Sequence, residues 1–320
     1  MNKKIRDFLE YLELERGHSQ LTIRNYSSYL EKFASFAQEN GITSVSKIDL
    51  EIIKKWRLVL HRRNLCNKTL NYYMIAIRSF LKYLSKMDVK SLAPEKIELA
   101  DTPDREIHFL EKEEVERILG AFNGNDILEL RNRAILETLF STGLRVSELV
   151  GLNREEINLE RNEFSITGKG GKRRLVFMSD GASQFLQKYL DKRFDLDKAV
   201  FVKLKAKEPA PSDSRTGQKS KVEEGKKELE ELGGRLTTRQ VERIVKEGAK
   251  KAGIVKKVTP HVMRHSFATD ILRSGADLRS VQNLLGHSSV TSTQAYTHVT
   301  DKHLREIHQK YHHRKENKEG

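Results

Sequence analysis

The apolar spacing of the first 88 residues is the feature that most constrains the fold. Segments there place apolar side chains at intervals of three and four residues, the spacing typical of amphipathic helices. Ser19 can cap the second helix, and Asn40-Gly41 ends it. The first three segments cover residues 3–17, 19–41 and 48–63, and the fourth opens at residue 69. Residues 1–88 are therefore predicted to form a compact four-helix unit.

The helical periodicity lapses between residues 89 and 107, where Pro94 and Pro103 flank a polar stretch. It resumes at Leu110. With 320 residues, the chain is long enough for two domains that each bury their own core. We therefore predict a linker over residues 89–107 and a second domain over residues 108–320.

Short runs of alternating polarity interrupt the helical pattern of the second domain. Phe164–Thr167 and Arg174–Phe177 are typical of the two strands of a β-hairpin with a glycine-rich tip. Residues 203–234 are rich in Lys, Glu, Pro, Ser and Gly, which predicts a charged, flexible insertion. The predicted fold class is mainly α with a small antiparallel β-sheet.

The formal net charge of the chain is +14. An excess of Lys and Arg favours a polyanionic partner, because each phosphate that these side chains neutralise releases condensed counterions. Nucleic acid is therefore the favoured class of partner. The charge by itself indicates no chemistry.

The sequence also predicts the cellular location of the protein. No apolar run has the length of a membrane span, and the start of the chain lacks the apolar centre of a signal peptide. Cys66 is the single cysteine, so no internal disulfide or thiolate metal cluster can form. We expect a cytoplasmic protein without a membrane partner, a metal or a cofactor.

Five landmarks of the second domain carry residue types that suit phosphate chemistry. In chain order they are Thr142-Gly143-Leu144-Arg145, Lys169 at the predicted hairpin tip, His261-Val262-Met263-Arg264-His265, Leu285-Gly286-His287, and Tyr296. Arginine offers a planar fork of donors to the charge that develops on a phosphate in transesterification. His261 and Arg264 are three residues apart on one predicted helix, so both side chains can reach the same phosphate.

Taken together, these motifs resemble the tyrosine recombinase (phage integrase) family, and most of all the Xer site-specific recombinases. The likeness extends over both predicted domains. It lies in residues 22–26 and 76–84 of the first, and in residues 141–152, 167–174, 259–269 and 284–299 of the second. The resemblance implies a two-domain DNA clamp that joins an N-terminal, SAM-like core-binding domain to a C-terminal catalytic domain. The insertion at 203–234 departs from the family, which has a shorter connection there.

The resemblance also implies a role for each motif residue. Tyr296 would be the nucleophile that forms a 3'-phosphotyrosyl link to DNA, without a metal or ATP. A phenol with a pKa near 10 needs a cationic pocket to favour the phenolate. The remaining catalytic roles are phosphate binding by Arg145 and Arg264, general acid catalysis by Lys169, help to the nucleophile from His261, and a hydrogen bond to the phosphate from His287.

Further basic residues are predicted to contact the DNA. Lys172, Arg173 and Arg174 follow Lys169 and are expected to grip the DNA backbone, although Lys172 also competes with Lys169 for the role of general acid. Arg78 lies in the matched stretch of the first domain. His265 is assigned a structural role, since a lone histidine is more often structural than catalytic.

The implied partners are a double-stranded DNA target and further recombinase subunits. Residues 300–311 resemble the family's C-terminal helix, which docks on a neighbouring subunit. A homotetramer on DNA, or a heterotetramer with a related recombinase, is therefore expected. Whether a DNA translocase regulates the protein stays open.

Four interpretations of the function follow. The favoured one is Xer-like resolution of chromosome dimers, and the near alternative is integration or excision of a mobile element. A mobile-element integrase usually carries an extra arm-binding domain, for which we expect no room ahead of residue 3. Two other classes remain, a type IB topoisomerase-like nicking enzyme and an inactive DNA-binding protein.

Overall fold

The computed structural model describes residues 1–102, 108–168, 171, 173–206 and 229–286. The chain divides into two compact units, Met1–Arg105 and Glu106–Gly320. Residues 103–107, which belong to the predicted linker, lie outside the described part.

Four amphipathic helices form the first unit, as the spacing predicted. Ser19 and Asp49 cap two of them through side chains that accept from the backbone N–H three residues later. Phe8, Phe33 and Trp56 fill the interior with aromatic rings in tilted contacts. The helices are α1 (Asn2–Leu14), α2 (Gln20–Glu39), α3 (Leu50–Arg62) and α4 (Asn67–Lys86).

The first part of the predicted linker packs against the first unit and is not a free connection. Ile97 is 1% exposed and belongs to the core of the first unit. The Asn71 side chain on α4 donates to the carbonyl of Ala100 at 2.8 Å and accepts from its N–H at 2.9 Å. Val89 and Leu92 also pack against this core. A few separated apolar residues and one amide produce no sustained periodicity, so the sequence pattern could not reveal this attachment.

The second unit is built around α6, which is buried along most of its length. Leu136 and Leu139 lie wholly inside, and α6 packs against α8 and α10. This mainly helical architecture confirms the predicted fold class. The helices are α5 (Lys112–Leu119), α6 (Ile127–Thr142), α7 (Val146–Gly151), α8 (Asp180–Asp191), α9 (Thr238–Lys251), α10 (Pro260–Arg273) and α11 (Leu278–Leu285).

The predicted hairpin is present as an antiparallel sheet in the order β1-β2-β3. The strands are β1 (Ile157–Asn158), β2 (Glu163–Thr167) and β3 (Arg173–Phe177). Phe164 pairs with Val176 and both side chains face the core, as the alternation requires. Strand β1 escapes sequence analysis because two residues show no alternation.

A second antiparallel pair joins β4 (Val202–Ala206) to β5 (Leu229–Arg235). The predicted insertion at 203–234 therefore begins and ends as strands, and residues 207–228 lie outside the described part. Arg235 anchors this pair by donating to the carbonyls of Val150 and Leu152 at 2.6 and 2.8 Å. The ladder depends on backbone pairing, which a polar composition does not exclude.

No helix in the described ranges combines the length and the apolar character needed to cross a membrane.

Candidate active site

The site begins where α6 ends, at Gly143. This residue adopts a left-handed conformation with φ +60° and closes the helix. A Cβ atom there would lie 2.7 Å from Cε1 of Phe267 and 3.0 Å from Cδ2 of Leu285. Both the backbone angle and the neighbours therefore require glycine, and the tight turn brings Arg145 to the start of α7.

We predict that Gly143→Ala destabilises the second unit much more than Gly253→Ala. Gly253 is also left-handed, with φ +67°, but has nothing within 4 Å of the position that a methyl group would take. The angle alone costs about 1 kcal/mol at either position, and crowding against Phe267 adds about 1–3 kcal/mol at Gly143. Chemical unfolding of each variant measures the difference. Equal losses would show that Phe267 moves aside without cost.

Arg264 lies on α10 and its side chain is 3% exposed. Its Nη1 donates to the carbonyl of Gly143 at 2.5 Å, and its Nη2 donates to the carbonyl of Leu285 at 2.7 Å. These carbonyls lie at the C-terminal ends of α6 and α11, which carry partial negative charge. One buried guanidinium thus joins three helices at the site.

Arg145 contacts the same end of α11. Its Nη2 donates to the carbonyl of Gly286 at 3.3 Å, and its Nη1 bonds Oε1 of Glu148 at 2.9 Å. The side chain is 41% exposed. Arg145 is therefore held in place, yet a ligand outside the protein can reach it.

Glu148 is the acidic centre of this group. Its Oε2 accepts from the backbone N–H of Arg145 at 2.8 Å, as the third residue of a helix does in a capping box. Both carboxylate oxygens accept from Arg174 at 3.0 Å, and Nη1 of Arg264 lies 4.0 Å from Oε2. Three arginines thus surround one carboxylate that is 10% exposed.

The pKa of Glu148 is lowered from its ordinary value. Burial is the largest influence and raises this pKa, but hydrogen bonds from Arg174 and the Arg145 backbone, with the charges of both arginines, outweigh it. Because the folded-state pKa is lowered, the stabilisation from ionised Glu148 is present at neutral pH. It is lost as the pH falls through that folded-state pKa.

Sequence analysis did not single out Glu148. The signal that could have found it is its place three residues after Arg145 at a helix start, the spacing of a capping box. The number of arginines that it binds could not be read from that spacing.

Arg174 was predicted to grip DNA from the hairpin, but its side chain is 13% exposed and paired with Glu148. It also lies against Gly286, where a Cβ atom would come within 2.8 Å of its Nη1. The structure therefore places Arg174 inside the arginine cluster. Its neighbour Arg173 is exposed, as a backbone contact requires, and Arg78 lies half-buried on α4.

His261 and His265 form a pair on the first turns of α10. Their Nε2 atoms are 3.0 Å apart and their rings meet edge to face at a centroid distance of 4.2 Å. One ring must donate and the other accept in this contact. His265, assigned a structural role from sequence, is thus the direct neighbour of the predicted catalytic histidine.

The structure brings Arg145 and Arg264 together at the end of α11, and Arg264 shares α10 with His261. The other predicted site residues, Lys169, Lys172, His287 and Tyr296, lie outside the described residues, as does the predicted helix at 300–311. Among the residues that the structure does describe, no group of three or more His, Cys, Asp or Glu side chains could hold a metal ion.

Comparison with known families gives two matches that together span most of the chain. Residues 108–303 match the model of the phage integrase family, and residues 5–87 match the N-terminal SAM-like domain of phage integrases. Among solved structures, the crystal structure of XerA recombinase aligns with a TM-score of 0.50 at 30% identity, over 98% of this chain and 99% of that one. The XerH recombinase bound to a palindromic difH substrate aligns with a TM-score of 0.67 at 23% identity, over 91% of this chain and 80% of the other, and supports the fold.

Curated relatives match from end to end. The tyrosine recombinase XerC of Halalkalibacterium halodurans is 36% identical over 310 residues, which cover 95% of each chain. The tyrosine recombinase XerD of Oceanobacillus iheyensis is 34% identical over 310 residues, 96% of this chain and 97% of the relative. The chain therefore belongs to the phage integrase family, as a Xer-like site-specific tyrosine recombinase.

Proposed function

We propose that this protein cuts and rejoins duplex DNA through a covalent 3'-phosphotyrosyl intermediate formed by Tyr296. The observation that carries the proposal is the arginine pair at the end of α11. Arg264 is buried and bonded to two carbonyls, while Arg145 is anchored to the adjacent carbonyl with 41% of its side chain exposed.

This arrangement suits a phosphodiester in transesterification. Charge develops on the nonbridging oxygens as phosphorus becomes five-coordinate, and donors already held beside the site stabilise that charge with little reorganisation. Arg145 offers its exposed N–H groups directly. Arg264 adds positive charge from a side chain that is only 3% exposed, where electrostatic interactions are screened less than in water.

The proposed reaction has two balanced steps. The Tyr296 oxygen attacks phosphorus and its proton passes to His261, while the bond from phosphorus to the 5'-oxygen breaks and that oxygen takes a proton from Lys169. In the second step, the 5'-hydroxyl of another strand gives its proton to the now neutral Lys169 as its oxygen attacks the phosphotyrosine. The bond from phosphorus to the Tyr296 oxygen breaks, and that oxygen takes back the proton from His261. The number of phosphoester bonds is unchanged, so ATP hydrolysis is not needed.

His265 bears on the first of these steps through its contact with His261. The nitrogen of His261 that faces His265 is engaged at 3.0 Å, and which ring donates there determines the tautomer of His261. His287 is assigned the remaining hydrogen bond to the phosphate.

Binding of the duplex is proposed to rest on phosphate contacts from Lys172, Arg173 and Arg78. Contacts of this kind position a protein on DNA and make its affinity depend steeply on salt. The net charge of +14 favours such binding.

The biological role that we propose is the resolution of chromosome dimers in the cytoplasm by a DNA-bound tetramer. The support is end-to-end similarity to XerC and XerD recombinases. A tetramer that contains this chain alone and one that includes a related recombinase are both compatible with that similarity.

The proposal is tested with a nicked suicide duplex, which traps the covalent intermediate. Its sequence is obtained by enriching a pool of randomised duplexes on the purified protein, and we call it the selected duplex. An SDS-resistant adduct is expected at the same rate in excess EDTA without nucleotide as in buffer with Mg²⁺. An adduct that forms only with Mg²⁺ or ATP would contradict the proposed chemistry.

Relaxation of supercoiled plasmid that lacks the selected site serves as the control for reaction type. A recombinase is expected to leave this plasmid supercoiled, whereas a type IB topoisomerase relaxes it. If the protein relaxes this plasmid, its activity is that of a type IB topoisomerase and the proposed recombinase function is wrong.

A further inference from the structure

The Arg174 side chain is committed to a partner inside the protein. Both of its Nη groups bond the Glu148 carboxylate at 3.0 Å, and its Nε is buried without a hydrogen-bond partner among the described residues. A guanidinium whose two terminal groups are engaged in this way has little to offer a phosphate on the surface. Its geometry is that of a bidentate ion pair, the strong form of such a contact.

Glu148 would bind Arg145 tightly if Arg174 were absent. The carboxylate lies 2.9 Å from Nη1 of Arg145, and it is largely buried, so its charge needs a partner. Arg264 is a poor substitute, since its Nη1 is 4.0 Å away and already bonds the Gly143 carbonyl. Arg174 is thus the partner that can bind both oxygens of the Glu148 carboxylate while Arg145 binds a phosphate.

The packing around Arg174 is specific to this arrangement. Gly286 ends α11 with φ +63°, and a Cβ atom there would lie 2.8 Å from Nη1 and 3.1 Å from Cδ of Arg174. The absence of a side chain at Gly286 therefore leaves the space through which Arg174 reaches Glu148 from β3.

We infer that Arg174 is a positioning residue that acts as the counter-ion of Glu148 and so frees the Arg145 guanidinium to bind the scissile phosphate. This inference rests on the proposed function. When a phosphate arrives, Arg145 turns its Nη1 from Glu148 to the phosphate, and the carboxylate remains neutralised by Arg174. The ion pair between Arg174 and Glu148 thereby connects strand β3 of the hairpin to the phosphate pocket.

The test compares four proteins on the selected duplex: wild type, Arg174→Gln, Glu148→Gln and the double variant. At saturating duplex, Arg174→Gln is expected to form the covalent adduct about 100-fold more slowly, because Arg145 stays on Glu148 and is misplaced for the phosphate. The rate at saturating duplex is the discriminating measurement, because loss of the Arg145 contact with one phosphate also lowers the slope of log affinity against log salt by about 1. Replacing Glu148 as well removes the competing charge, so the double variant should react at least about tenfold faster than Arg174→Gln.

Arg173→Gln provides the contrast, since Arg173 is the exposed neighbour on β3. Loss of one phosphate contact there should reduce the slope of log affinity against log salt by about 1. A salt slope that falls in Arg174→Gln, with a wild-type rate at saturation, would make Arg174 a DNA contact and overturn the inference.

Two further outcomes have distinct meanings. If the rate losses of Arg174→Gln and Glu148→Gln simply multiply in the double variant, Arg174 does not act through Glu148 and the inference fails. If wild type forms no adduct with the selected duplex, the proposed function fails, and the inference fails with it.

Circular dichroism checks that each variant folds. Should Arg174→Gln not fold, Arg174→Lys takes its place, because lysine keeps the charge but lacks the fork. Its adduct rate is expected to fall about tenfold and to recover in combination with Glu148→Gln. A wild-type rate in Arg174→Lys, or no recovery, would overturn the inference.

Discussion

Tyr296→Phe is expected to abolish the SDS-resistant adduct with the selected duplex. The substitution removes one oxygen and leaves a ring of nearly the same shape, so binding to the duplex should be retained. Loss of a nucleophile typically lowers the rate by a factor on the order of 10³ or more. The measurement is the fraction of radiolabelled duplex that is retained with protein in denaturing gels over time.

The matched control for this prediction is Tyr189→Phe. Tyr189 lies in the same unit, but it is wholly buried against Phe201 and its hydroxyl oxygen accepts from the Val202 N–H at 3.4 Å. This variant should form the adduct at the wild-type rate. An adduct of wild-type intensity in Tyr296→Phe would assign the nucleophile to another residue.

Arg264→Lys is expected to lower both stability and the rate of adduct formation. Lysine retains the charge, but a single ammonium group cannot reproduce the fork that reaches the carbonyls of Gly143 and Leu285. Loss of one hydrogen bond from a charged group costs about 1.5–3 kcal/mol of unfolding free energy. Because the turn at Gly143 leads directly to Arg145, the adduct rate should also fall by about 100-fold.

Arg273→Lys is the control on the same helix. Arg273 bonds Oε2 of Glu111 at 2.7 Å, with 43% of its side chain exposed, and exposed pairs contribute at most about 1 kcal/mol. In urea unfolding, the free energy of unfolding should therefore fall clearly more in Arg264→Lys than in Arg273→Lys. Equal unfolding free energies would mean that Arg264 is not a buried anchor of three helices.

Local patterns determined most of the helices and the hairpin of this protein. The strands predicted at Phe164–Thr167 and Arg174–Phe177 lie within β2 and β3, and Ser19 caps α2 as expected. Capping, apolar periodicity and strand alternation depend on neighbours within a few residues, so they can be predicted from the sequence alone. The order of the five motifs likewise identified the family, which end-to-end similarity to Xer recombinases confirmed.

Contacts between distant parts of the chain were decided by the tertiary structure. The same composition that marked residues 203–234 as an insertion concealed the strands at its ends, since backbone pairing leaves no mark on side-chain polarity. Ile97 showed no periodicity and yet lies in the core. Each of these features depends on a partner dozens of residues away or on burial from another element.

The arginines show the same division most clearly. The sequence by itself determined that Arg145 and Arg264 are arginines in family motifs, and that Arg174 follows a basic hairpin tip. Only the folded chain decided that Arg174 meets Glu148, 26 residues earlier, through both carboxylate oxygens. The reason is physical: whether a guanidinium binds solvent, a phosphate or a buried carboxylate depends on what surrounds it in space, and a basic residue has the same charge in all three cases.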